Sequence, residues 1–172
     1  MKGVAVTDHA QIEKRLKELA ISLPEPPKPV ASYLPCAVSD DLVFISGQLP
    51  SVKGKIRYCG KVPTDLSVDD GQAAAKLATI NALAVLRTLA LDGQWGRLVG
   101  IVRVGVFVQS ANDFYGQPQV ANGASDLLAS VFGEAGRHAR AAVGVNALPL
   151  NAAVEVELIV RITAQKRWRD QR

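Results

Sequence analysis

The chain has 172 residues, 48% hydrophobic and 21% charged, which fits about one globular domain. Its net charge is +4, yet from Arg161 onward five basic residues (Arg161, Lys166, Arg167, Arg169, Arg172) face one acid, Asp170, so the tail carries the whole excess. A neutral body with 5% aromatics argues against a nucleic-acid interface, even with Trp168 in the tail, and no apolar run approaches the ~20 residues of a membrane span.

Met1 to Ala10 lacks the apolar core and cleavage site of a signal peptide. Cys36 and Cys59 lie far apart, without a CxxC spacing or histidine partners, so free thiols in a reducing cytosol are expected and a zinc site is not. No metal or organic cofactor is expected.

In chain order, Thr7 or Asp8 can cap a first helix with Ile12, Leu16 and Leu19 on one stripe. The proline-rich stretch from Leu23 to Pro35 reads as an extended connector. The expected division is therefore 1–31 for the added helix and connector, 32–165 for the main domain, and 166–172 for the basic tail. Strands are expected at Cys36–Val38, Leu42–Ser46 and Ile56–Cys59. Ser67 and Asp70 form a capping-box-like start to a helix that runs to about Leu91 and stops at Gly93. A strand over Val99–Val108, a helix over Phe114–Phe132 and two closing strands complete the order βββαβαββ. That order describes an α+β layer, a mixed sheet with its helices on one side.

The last fifth carries the chemistry. From Val154 the chain alternates, with Val154, Val156, Leu158, Val160 and Ile162 on one face and Glu155, Glu157, Ile159 and Arg161 on the other. Arg140 and Glu155 flank a turn at Leu148-Pro149, which predicts neighbouring antiparallel strands with a guanidinium close to a carboxylate. A guanidinium can hold an anion bidentately, and a carboxylate can move protons. The alternative is a cross-strand ion pair on a half-exposed face. His138, two residues before Arg140, shares its face; it either reaches the same cleft or lies at a surface or interface.

Four segments together resemble the RidA/YjgF family, also called L-PSP endoribonucleases. They are Tyr33 followed by Ser46-Gly47-Gln48-Leu49-Pro50; Val106-Phe107-Val108 with Asn112-Asp113-Phe114; Ala139-Arg140 with Val143, Val145 and Leu148-Pro149; and Val154-Glu155-Val156-Glu157. The resemblance covers about Ser32 to Thr163. It is nearest to a subgroup with an added N-terminal helix and an Asn122-Gly123-Ala124-Ser125-Asp126 segment.

The resemblance implies a chorismate-mutase-like fold and a homotrimer, three sheets around a central barrel with clefts between subunits. It also implies hydrolysis of reactive enamines and imines such as 2-aminoacrylate to 2-keto acids and ammonia, with a small carboxylate-bearing substrate and no cofactor. Arg140 would hold the substrate carboxylate and Glu155 would activate or protonate the attacking water. Ser46 and Gly47 would line the pocket, Tyr33 would cover it from a neighbouring subunit, and Ala142 would be a binding position that acts either through its backbone or, in members with Cys there, through the thiol. Read without the resemblance, Ser46-Gly47 is equally a strand-ending bend and Tyr33 a residue packed beneath the connector. Three positions depart from the family pattern: Ala142 stands where active members often have Cys, Ala141 where Ser is common, and Ser125 where an aromatic is usual. Ala142 and Ser125 keep open a non-catalytic carboxylate-binding protein of the same fold. An endoribonuclease is disfavoured by the neutral body, and a chorismate mutase by the shortage of cations beyond Arg140 and Arg137.

Overall fold

The computed structural model describes residues 7–26 and 32–163. The basic tail with Trp168, and part of the proline-rich connector, lie outside the described residues. The element order is α1 (His9–Glu18), β1 (Cys36–Ser39), β2 (Leu42–Gln48), β3 (Ser51–Val52), β4 (Lys55–Ile56), α2 (Val68–Val85), β5 (Leu98–Gln109), α3 (Gln117–Phe132), β6 (Ala139–Val145) and β7 (Val154–Ile162).

Helix α1 begins at Asp8, whose carboxylate accepts from the Ala10 backbone N–H at 2.9 Å. Ile12 and Leu16 are buried, but Leu19, expected on the same stripe, follows the last helical turn and is 42% exposed. The helix is fastened at both ends. His9 Nδ1 accepts from Trp95 N at 3.1 Å, Glu13 accepts from Trp95 Nε1 at 2.9 Å, and Arg15 donates to Val131 O at 3.1 Å.

The capping box at the start of α2 is complete: Ser67 Oγ accepts from Asp70 N and Asp70 Oδ2 accepts from Ser67 N. Beyond Val85 the helix widens into a π-helical turn, Leu86–Ala90, and Gly93 at φ +78° turns the chain away. By length and composition the 23 residues Val68–Ala90 could cross a membrane, with a mean hydropathy of 1.3. Here they form the central core helix, and Ala74, Ala75, Ala78, Ala82, Leu83 and Val85 are fully buried. Helix α3 starts later than expected, because Phe114 belongs to the preceding turn and Gly116 takes the cap position.

The strands form a five-stranded mixed sheet in the order β1-β2-β7-β5-β6, antiparallel throughout except for the parallel pair β5–β6. One expectation fails here. Strands β6 and β7 are consecutive in sequence but not in space, because β5 lies between them. The strand expected at Ile56–Cys59 is also shorter: β3 and β4 make a separate two-stranded hairpin, and Cys59 forms only an isolated bridge to Ala152.

Alternation along β7 sorts the sheet into two faces. Val154, Val156, Leu158, Val160 and Ile162 are buried with Val104, Val106 and Val108 of β5 under α2 and α3. Each such side chain stabilises the fold by ~1.5–3 kcal/mol relative to exposure. Among the described residues no helix covers the other face, where Phe44 and Val143 are 42% and 46% exposed. The architecture is α+β, with both long helices on one side of a mixed sheet.

Candidate active site

Arg140 lies on edge strand β6 opposite Val104, so its side chain is on the helix-covered face. Its Nη1 donates to Asn122 Oδ1 at 2.9 Å and to Ser125 Oγ at 3.1 Å. Asn122 and Ser125 are three apart on α3 and so share a side of that helix. Both acceptors are neutral, and among the described residues no carboxylate pairs with Arg140. The guanidinium is held without being neutralised, and among the described residues its Nε–Nη2 edge has no hydrogen-bond partner, the edge by which a guanidinium can grip an anion.

Behind Arg140 stands His138. Its Nε2 is 3.0 Å from Ser125 Oγ and its Nδ1 is 2.6 Å from Gly136 O. Sequence reasoning placed His138 on the face of Arg140, and the structure joins the two through Ser125. It did not foresee Asn122 or Ser125 as partners of Arg140. Their i, i+3 spacing in a segment of the quoted resemblance was the available signal.

Glu155 is on the opposite, open face of the sheet. It stands opposite Phe107 on β5, one residue out of phase with the buried positions. Strand β2 bulges between Ile45 and Gln48, and this places Gly47 against Glu155: a β-carbon at Gly47 would overlap Glu155 Oε1. Burial, and secondly the charge of Glu157, push the Glu155 pKa above the usual carboxylate value. Glu157 itself is ion-paired to Arg103 at 2.7 Å.

Ser46 Oγ donates to Leu34 O at 2.7 Å and Ser46 N to Pro35 O at 3.0 Å, which ties the segment carrying Tyr33 to the bulge. The Ser46 proton is therefore already committed. Tyr33 is 58% exposed, so it is not packed within its own chain. Ala142 is partly buried against the core two residues beyond Arg140. The candidate residues thus fall into two groups. Ser46, Gly47 and Glu155, with Tyr33 tethered nearby, form one; Arg140 and Ala142, with Asn122, Ser125 and His138, form the other. The neighbouring-strand pairing of Arg140 with Glu155 expected from sequence does not occur, because β5 intervenes and the two residues point to opposite faces.

Cys36 and Cys59 are both free, and burial raises the Cys36 thiol pKa. Among the described residues, no three His, Cys, Asp or Glu side chains converge as a metal site would require.

Residues 13–162 match the family described as "YjgF/chorismate mutase-like, putative endoribonuclease". A Trypanosoma cruzi protein named Protein TCP17 is 40% identical over 162 residues, spanning 92% of this chain and 99% of that one. A 2-iminobutanoate/2-iminopropanoate deaminase from Dermatophagoides farinae is 29% identical over 143 residues, 83% of this chain and 94% of its own. Among solved structures, a protein of unknown function from Agrobacterium tumefaciens matches with a TM-score of 0.84 at 45% identity, covering 90% of this chain and 94% of that one.

Proposed function

We propose that this chain, which belongs to the YjgF/chorismate mutase-like family, is an enamine/imine deaminase that hydrolyses imino acids of the 2-aminoacrylate type to 2-keto acids and ammonia. The observation that carries this reading is Arg140, fixed by two neutral acceptors on α3 with one donor edge unspent. The similarity to a protein named as a 2-iminobutanoate/2-iminopropanoate deaminase supports the reaction class.

The two groups meet between copies in a homotrimer, so that Arg140 of one subunit faces Glu155, Ser46 and Gly47 of the next and Tyr33 covers the cleft. Arg140 binds the substrate carboxylate. An enamine needs a proton on carbon to become the imine, and Glu155, whose pKa burial raises, supplies it. The resulting carboxylate takes a proton from water as the oxygen adds to the imine carbon. Returning that proton to the nitrogen makes the amine a leaving group, and as ammonia departs Glu155 takes the hydroxyl proton, which leaves the keto acid and restores the protonated carboxyl. The substrate is labile in water, so one well-placed acid–base group and one anchor are enough.

The test is release of ammonia or keto acid from freshly generated 2-aminoacrylate and 2-iminobutyrate. Arg140→Ala loses the anchor and lowers kcat/KM by about 10–100-fold, the worth of a charged hydrogen bond. Release at the spontaneous rate by the unaltered protein rejects the deaminase. Ala142 then favours the second reading, a carboxylate-binding protein that keeps Arg140 and does no chemistry.

A further inference from the structure

Arg140, Ser125 and His138 form one hydrogen-bonded chain that ends on the backbone. The links are Arg140 Nη1 to Ser125 Oγ at 3.1 Å, Ser125 Oγ to His138 Nε2 at 3.0 Å, and His138 Nδ1 to Gly136 O at 2.6 Å. Its direction is fixed from both ends, since a guanidinium only donates and a carbonyl only accepts. Gly136 O takes the Nδ1 proton, and a neutral imidazole then offers Nε2 as an acceptor. Ser125 gives its hydroxyl proton to Nε2 and turns a lone pair to Arg140.

The far end of this chain is rigid. Gly136 is buried and its turn is pressed onto α3, where a β-carbon would overlap Leu128 O. Ser125 and Leu128 are three apart on that same helix, so the chain leaves α3 at one residue and returns to it one turn later. A hydroxyl that donates to an imidazole is also a better acceptor for the next donor, because successive hydrogen bonds polarise one another.

We infer that Ser125, oriented by His138, is the positioning residue for Arg140, and that the unit they build presents the Nε–Nη2 edge to a single planar carboxylate. The inference rests on the reading of Arg140 as substrate anchor. Asn122 takes one Nη1 proton and Ser125 the other, so the head of a long, exposed side chain is ordered before ligand arrives. Without Ser125 the guanidinium pivots on Asn122, and the ordering cost falls on binding.

Two measurements on the 172-residue chain test this. The first uses nitrogen-15 NMR on the only two histidines. His9 accepts from Trp95 N at Nδ1 and is therefore the Nε2–H tautomer. His138 is expected as the opposite, Nδ1–H tautomer at neutral pH. An Nε2–H tautomer at His138 reverses the chain and overturns the inference.

The second is titration with 2-oxobutanoate. Ser125→Ala is expected to weaken binding about fivefold, the net worth of one hydrogen bond, and Ser125→Thr to recover most of it. Arg140→Ala binding as tightly as the unaltered protein removes the anchor reading itself. Arg140→Ala binding weakly while Ser125→Ala binds normally leaves the anchor standing and rejects Ser125 as its positioning residue. A Ser125→Thr variant as weak as Ser125→Ala rejects it too, because the hydroxyl is then not the cause.

Discussion

An arginine held by a carboxylate spends its charge on that partner, whereas one held by an amide oxygen and a hydroxyl keeps it for a ligand. Arg140 is of the second kind and Arg103, paired with Glu157, is of the first. The same contrast separates the two glutamates of β7. Glu157 has its cation, while Glu155 beside Gly47 is raised in pKa first by burial and then by the like charge of Glu157. Its folded-state pKa therefore lies above the unfolded value. Stability from the protonated form is full below the unfolded pKa and is lost as pH rises through the folded one. Glu155→Gln, which cannot ionise, is expected to raise the melting temperature at pH 7 relative to the unaltered protein. That gain shrinks towards zero near about pH 3, below the ordinary glutamate pKa, while deaminase turnover at pH 7 falls about 10²–10⁴-fold. A variant no more stable than its parent at pH 7 would mean the Glu155 charge costs the fold nothing.

Elements show where the sequence could be read and where it could not. The capping box at Ser67 and Asp70, the stop at Gly93 and the alternation of β7 were all legible, because each is decided within a few residues. Strand adjacency was not. A short connection across Leu148-Pro149 looks like a hairpin, but β6 leaves α3 as a parallel partner of β5 and takes the sheet edge. Its small, largely exposed residues are those of an edge strand, and β7, nine residues long with a fully buried face, is central. Residue chemistry alone thus named Arg140 and Glu155 and put them on the wrong faces relative to each other. Helix α1 is a second case. The proline-rich stretch makes it look like an appendage, yet Ile12 is 1% exposed and joins the main core cluster. Ile12→Ala is expected to cost about 2–4 kcal/mol of unfolding free energy in denaturant titration, the cost of a core truncation. A loss below about 0.5 kcal/mol, typical of a surface substitution, would make α1 a loosely attached addition.

At the scale of the whole molecule, Arg140 and Glu155 lie on opposite faces of one sheet, and the proposed reaction needs them together. The open face of the sheet holds Glu155 and Glu157 beside the exposed Phe44 and Val143, while Arg140 is turned to the helices. The proposed symmetric trimer joins the two groups and makes each cleft depend on two subunits, and this is the central claim. The measurement that tests it most directly mixes Arg140→Ala and Glu155→Gln chains under refolding conditions and assays imine hydrolysis by the mixed trimers. Each parent alone is expected to be nearly inactive. Random association at equal amounts gives one cleft in four an intact Arg140 and an intact Glu155, so about a quarter of the unaltered activity returns. Mixed trimers no more active than their parents, with the unaltered protein fully active, would show that each chain works alone and contradict the shared site.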